Sequence, residues 1–252
     1  MKTAIITVAG ISSRFNEGIP EAEKTLKAIF YEKEKTQTIL NHLLLKCSFA
    51  DRIIIVGGYK FDDLKAYIHS LDKEIVEKIK LVYNAYFEDL GSGYSLYLGL
   101  EEAFREEVKE VLFVEGDLDI DDYSFEKVAV SSENVITYNN EPIYANKAVV
   151  LYQTADGRLH YAFNSSHGLL SIESPFSFIL NSGQVWKFTD MQKLRAACEW
   201  FGENAKDGTN LILIQNYLDK DVTYELIGFS RWTNCNTRED FQKITAFWEE
   251  EK

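Results

Sequence analysis

Residues 4–15 read Ala4-Ile5-Ile6-Thr7-Val8-Ala9-Gly10-Ile11-Ser12-Ser13-Arg14-Phe15, an apolar run of β type that stops in small residues, with Lys24 a short way behind. A strand ending this way brings several backbone N–H groups to one spot, and a nearby cation suits that spot to phosphate. Two common phosphate patterns are missing. No glycine recurs at the spacing of a dinucleotide fold, and no Gly-Lys-Ser or Gly-Lys-Thr closes a P-loop. A plain strand-to-loop turn with solvated cations uses the same residues, so the surrounding chain has to decide.

Outward from that stretch, residues 38–46 space their apolar side chains as a helix does, and the β-branched run 53–56 ends at Gly57-Gly58. Residues 61–70 read as a second helix, with Asp62 and Asp63 where the helix dipole favours acids, and 80–84 as a third strand. Beyond Gly91-Ser92-Gly93, residues 94–104 return to helical period and 111–114 form the next strand. This alternation predicts an α/β fold of three layers, with a mostly parallel, Rossmann-like sheet between helices. Such sheets bind ligands at the carboxyl ends of their strands. The residues to read for function are therefore 9–14, 57–59, Asn84 and Glu115-Gly116-Asp117.

The second half changes character. Short β-like runs at 134–138, 147–152, 159–163, 176–180 and 184–188 are separated by turn clusters such as Ala155-Asp156-Gly157 and Asn181-Ser182-Gly183. Helices at 191–203 and 210–218, a strand at 224–229, a turn at 232–237 and a helix over about 238–251 follow. Neither a linker-like tract nor an internal repeat divides the chain. The expectation is one domain over 1–252, with a nucleotide-binding core of about 1–133 plus 205–252 and an antiparallel, β-rich acceptor-side insertion of about 134–204.

With 46% hydrophobic and 13% aromatic residues, the 252-residue chain can bury a sizeable core. A formal charge of −13 repels polyanions and argues against a nucleic-acid partner. A small anionic ligand would need local cations and a divalent metal. No apolar run is long enough to span a bilayer and the N-terminus has no signal-type apolar segment, so a cytoplasmic location is expected. Cys47, Cys198 and Cys235, like His42, His69, His160 and His167, lack paired or metal-ligand spacing. Glu115-Gly116-Asp117 puts the Asp117 carboxylate just past a hydrophobic strand, where a hard oxygen ligand suits Mg²⁺. Solvated acids of a strand-end turn, alongside Asp119, Asp121 and Asp122, read equally well there.

The run Val8-Ala9-Gly10-Ile11-Ser12-Ser13-Arg14-Phe15, the lysine of Lys24-Thr25-Leu26, the helix opening Thr38-Ile39-Leu40, Glu115-Gly116-Asp117 after its strand and the stretch 232–240 together resemble the nucleotidyltransferases of sugar-1-phosphate and phosphocholine cytidylyltransferase type. The resemblance implies that a nucleotidyl group passes from a nucleoside triphosphate to a small phosphorylated acceptor as pyrophosphate leaves. By that pattern Ala9, Gly10, Ile11, Ser12 and Ser13 cradle base and phosphates, with Gly57, Asn84 and Ser95 completing the nucleotide side. Arg14 and Lys24 would be the catalytic cations, Asp117 would bind Mg²⁺, and Asn236, in Cys235-Asn236-Thr237-Arg238-Glu239-Asp240, stands where the family has a second metal-binding aspartate. Phosphoryl-type transfer depends on alignment and charge neutralisation, which these groups supply.

Three departures accompany the match: Ser12 where a glycine is usual, Glu23 where a proline precedes the lysine, and Asn236 for aspartate. The second leaves Lys27 as an alternative to Lys24. A glycosyltransferase using Asp117-Leu118-Asp119 as an Asp-x-Asp metal motif, or a non-catalytic nucleotide-binding domain, are the competing readings. Tyr94-Ser95-Leu96 resembles the phosphocholine branch and favours CTP. On the acceptor side, Tyr86, Tyr144, Tyr161, Trp186 and Trp232 could cage a quaternary ammonium. Glu141, Tyr144 and Trp186 would serve an amine, and Asn164, Ser165 and Asn181 a sugar. The expectation is CTP with a small amine-bearing acceptor, a sugar 1-phosphate being the alternative.

Overall fold

In the computed structural model, which describes residues 1–144, 149–163, 170–172 and 174–250, the first half runs β1 (Lys2–Val8), α1 (Ile39–Lys46), β2 (Arg52–Gly57), α2 (Phe61–Ile68), α3 (Lys73–Val76), β3 (Ile79–Tyr83), α4 (Ser92–Ala103) and β4 (Glu110–Glu115). The start of α1 is set by Thr38, whose hydroxyl accepts from the Asn41 backbone N–H and satisfies one of the helix's free donors. There follow β5 (Leu118–Ile120), α5 (Asp122–Val130), β6 (Asn134–Asn139), β7 (Val149–Thr154), β8 (Leu159–Phe163), β9 (Phe176–Phe188), α6 (Met191–Asn204), α7 (Asn210–Leu218), β10 (Tyr224–Phe229), β11 (Trp232–Asn234) and α8 (Arg238–Glu250). Asp121 and Asp190 cap α5 and α6 in the same way. No helix among the described residues is long and apolar enough to cross a membrane.

The main sheet has nine strands in the order β10-β6-β9-β4-β1-β2-β3, with β7 joined to β9 and β8 to β7. β1 lies parallel to β2 and β4, β2 to β3, and β10 to β6, while β9 is antiparallel to both β4 and β6. The carboxyl ends of β1, β2, β3, β4, β6 and β10 consequently share one edge. Strand periodicity divides the core in two. Ala4, Ile6 and Val8 of β1 face the helices α1, α2, α5 and α8, whereas Ile5 faces α4, α6 and α7.

Several features depart from the sequence reading, among them Trp232–Asn234, expected within a turn, which forms β11 and pairs with β5. Residues 176–188 form one strand, not two around a turn at Asn181-Ser182-Gly183. The chain bulges there instead: Gln184 takes φ 57 and the β6–β9 register shifts between Ile136 and Tyr138. Gly183 is needed for close approach, since a Cβ would meet the Thr137 Oγ1 at 2.5 Å. Next, β6 and β9 are central strands of the same sheet, so residues 134–204 are not peripheral to the core; only β7, β8 and the outer part of β9 extend beyond it. Lastly, α3, β5 and α5 were not anticipated, because the acids at 117–122 hide the apolar face Phe125, Val128 and Ala129 of α5. The expected strand 147–152 starts at Val149, residues 147 and 148 lying outside the described ones.

Candidate active site

The loop after β1 is held by its own polar side chains. Ser12 adopts φ 55, a region favouring glycine, and its Oγ accepts from the Lys27 backbone N–H at 3.2 Å. Asn16, buried beneath the loop, donates to the Ser12 and Thr25 carbonyls at 3.1 and 2.8 Å and accepts from the Thr25 N–H at 3.1 Å. Gly10 is open, with nothing within 4 Å of a Cβ placed on it. Among the described residues, the backbone N–H groups of Gly10, Ile11, Ser12 and Ser13 have no protein acceptor. Donors left converging in a turn form an anion-binding concavity.

The end of β4 lies directly against this loop. The Gly116 N–H donates to the Thr7 carbonyl at 3.0 Å, and a Cβ on Gly116 would sit 2.3 Å from Val8 Cγ1 and 2.6 Å from the Thr7 oxygen. Only glycine allows that approach. Gly116→Ala is expected to cost ~3 kcal/mol and lower Tm by roughly 5–10 °C, read by thermal denaturation; an unchanged Tm would mean the strands can separate without penalty.

Asp117 follows. Its Oδ2 accepts from the Lys27 ammonium at 2.6 Å, its backbone carbonyl accepts from the Cys235 N–H at 2.7 Å, and its Oδ1 is buried with no hydrogen-bond partner. Glu115, one pleat earlier, accepts from Asn210 Nδ2 at 2.7 Å. Burial, and next the Asp117 charge, push the Glu115 carboxyl up to about 8 against the opposing pulls of Asn210 and Lys27. Loop, strand ends and the α4 N-terminus enclose a cleft of about 240 Å³ lined by Ala9, Gly10, Ser12, Lys27, Asn84, Ser95, Glu115, Asp117 and Asn210, among others.

An unsatisfied buried carboxylate oxygen is costly unless something polar or cationic completes it. Among the described residues no group of three or more His, Cys, Asp or Glu gathers to hold a metal. The donor set nevertheless fits Mg²⁺, which usually takes one or two carboxylates and fills the rest of its shell with water and substrate phosphates.

Of the residues anticipated on the nucleotide side, Ala9, Gly10, Ser12, Asn84 and Ser95 line the cleft. Asn84 Nδ2 donates to Ser95 Oγ at 3.0 Å, and its Oδ1 accepts from the Tyr86 N–H at 2.9 Å. Ile11 and Ser13 belong to the loop with exposed side chains. Gly57 instead makes room for α2: a Cβ there would meet Leu64 at 2.5 Å and Phe61 at 2.8 Å. Lys24 is turned out of the cleft onto Glu21, at 2.6 Å, and Lys27 takes the inward position. The two 3₁₀ turns at Glu21–Glu23 and Lys27–Ile29 set which lysine points inward. Arg14 and Asn236 are not among the residues lining the cleft; they meet each other, Nη2 donating to Oδ1 at 2.7 Å, so the amide oxygen expected on a metal is engaged by the guanidinium.

Asp119 is not a second cleft carboxylate. It is 2% exposed in the β5–β11 ladder, paired with Arg231 and accepting from Trp248 Nε1 at 2.9 Å, which leaves the Asp-x-Asp motif without its second ligand. The aromatic cage does not form either. Trp186 is fully buried and stacked on Phe113 at 5.2 Å, its Nε1 donating to the Tyr161 hydroxyl, and Trp232 Nε1 donates to the Gly183 carbonyl. Tyr86 packs edge-on against Tyr94, and Tyr144 and Glu141 are exposed. Asn164 and Ser165 lie outside the described residues.

Beside β4, the same sheet edge carries neutral amides. Asn181 Nδ2 donates to Asn139 Oδ1 at 3.1 Å, Asn139 Nδ2 to the Ser182 carbonyl at 2.7 Å, and Asn234 Nδ2 to Gln184 Oε1 at 3.2 Å; Asn234 Oδ1 is buried without a partner. Asn139, Asn210 and Asn16 escaped the sequence reading. Of these, Asn139 ends a parallel strand and was open to the rule that picked Asn84, whereas Asn16 and Asn210 depend on tertiary contacts.

The family described as a domain of unknown function (DUF6564) matches residues 23–248. No curated protein matches the chain. Among solved structures, the inositol-1-phosphate CTP transferase from T. maritima is 15% identical, with 99% of this chain and 97% of that one covered and a TM-score of 0.67. The CTP:phosphocholine cytidylyltransferase from Streptococcus pneumoniae is 15% identical over 98% and 99% of the two chains, TM-score 0.62. A UDP-glucose pyrophosphorylase complexed with UDP-glucose is 12% identical over 100% of both, TM-score 0.69. The chain thus has the sugar-phosphate nucleotidyltransferase fold.

Proposed function

Because the chain belongs to the DUF6564 family of domains of unknown function, we propose an activity from its own residues: transfer of a nucleotidyl group from a nucleoside triphosphate to a small phosphorylated acceptor, with release of pyrophosphate. One observation carries this reading, the buried and unpartnered Oδ1 of Asp117 beside a loop of free N–H donors and the Lys27 ammonium. Structural neighbours named for CTP, phosphocholine and UDP-glucose chemistry support the same class.

In this proposal the loop N–H groups bind the triphosphate and Lys27 neutralises it, while Asp117, with Asn236 nearby, holds Mg²⁺. When bound, Mg²⁺ supplies Lewis-acid stabilisation of charge and a template for the two phosphates. Arg14 keeps the Asn236 turn against the loop. The Ser95 hydroxyl already accepts from Asn84, so its own hydrogen is free to donate to a base carbonyl, which disfavours adenine; CTP is placed first because Tyr94-Ser95-Leu96 resembles the phosphocholine branch.

The amides Asn139, Asn181, Gln184 and Asn234 favour an acceptor rich in hydroxyls, and the burial of Trp186 removes one of the side chains expected to serve an amine-bearing one. Pyrophosphate release from four triphosphates against sugar 1-phosphates, a polyol phosphate and phosphocholine tests both choices. The best pair is expected to be CTP with a hydroxylated acceptor. Preference for a purine triphosphate or for phosphocholine would refute the corresponding choice.

A further inference from the structure

We infer that Lys27 is a displaceable counter-ion of Asp117, so that a divalent cation is admitted to the cleft together with the triphosphate and not ahead of it. This rests on the nucleotidyltransferase reading and adds an order of binding to it. The ammonium occupies Oδ2 at 2.6 Å, with both side chains 19% exposed, and the opposite oxygen has no partner. A cation arriving alone must compete with a charge already in contact with the carboxylate.

The contact is built so that the lysine side chain moves and the carboxylate stays. Asp117 is pinned by the Cys235 N–H on its carbonyl and by Gly116, wedged against Val8. The Lys27 backbone is fixed by Ser12 Oγ, but its flexible four-carbon stem can carry the ammonium from one anion to another. The other acid of the cleft, Glu115, is engaged by Asn210. Nearby cations are also occupied, Lys24 by Glu21 and Arg14 by Asn236. A triphosphate seated on the loop would give the Lys27 ammonium a new partner within the cleft and free Asp117 for the metal. Metal and triphosphate would then each raise the other's affinity by the same factor.

Mn²⁺ serves as the probe, its binding followed by electron paramagnetic resonance with and without a non-hydrolysable CTP analogue. Lys27→Met is expected to bind Mn²⁺ alone about tenfold more tightly than the wild type and to show coupling to the analogue reduced by about the same factor. Lys27→Arg, which keeps the charge, is expected to stay weak. Lys24→Met should leave Mn²⁺ binding unchanged, and Asp117→Asn should abolish it. The inference is overturned if Lys27→Met binds Mn²⁺ no more tightly than the wild type, or if Lys24→Met tightens it as much, which would reduce the effect to a general field. If the analogue binds while Mn²⁺ affinity ignores Lys27, only the counter-ion role fails. If neither wild type nor variants bind the analogue, the nucleotidyltransferase reading fails with it.

Discussion

Asp117→Ala is expected to lower kcat/KM by about three orders of magnitude, or roughly 4 kcal/mol of transition-state stabilisation, while the fold survives. The size follows from what is removed: the carboxylate at the sheet's ligand edge whose Oδ1 has no protein partner and whose other oxygen holds Lys27. The fold survives because the link from this position to the late turn is its backbone carbonyl, which accepts from Cys235 whatever the side chain. Steady-state rates with circular dichroism and thermal melting separate the two effects. A variant within tenfold of the wild-type rate would show that Asp117 holds nothing needed for chemistry.

Lys27→Met is expected to lower kcat/KM by about two to three orders of magnitude, and Lys24→Met to change it by less than about twofold. Lys27 lines the cleft beside the loop N–H groups, so its charge acts on bound phosphate in a partly desolvated site. Lys24 makes an exposed pair with Glu21, a contact of a kind worth little. Rates of the two single variants, measured under the same conditions, decide between them. The reverse pattern would return the catalytic position to Lys24.

The contrast between these lysines marks where sequence reasoning stops. Strand ends were legible because short apolar runs such as 53–56 and 111–114 fix the parallel strands, and residues past their ends must lie at the ligand edge; Asp117, Asn84 and the loop from Ala9 follow from that alone. Lys24 and Lys27 are three residues apart, the first just after one short 3₁₀ turn and the second opening the next, and which one faces inward depends on Ser12 Oγ and Asn16 gripping the backbone from the loop. No period in the sequence encodes a grip of that sort. Composition misled at Asn181-Ser182-Gly183, where residues typical of turns sit in a bulge made by a neighbouring strand. Trp186 misled for a related reason: an aromatic on a strand faces ligand or core according to a register set by β4 and β6, and here it packs on Phe113.

The central claim is that the α-phosphorus of a nucleoside triphosphate is the centre attacked. Incubation with Mg²⁺, triphosphates labelled at the α-phosphate and a panel of phosphorylated acceptors, followed by ³¹P nuclear magnetic resonance and label tracking, tests it most directly. The account predicts label in a new diphosphate joining nucleoside and acceptor, with one pyrophosphate released for each. Label left in nucleoside diphosphate with inorganic phosphate released, or no transfer to any acceptor despite bound triphosphate, would contradict it.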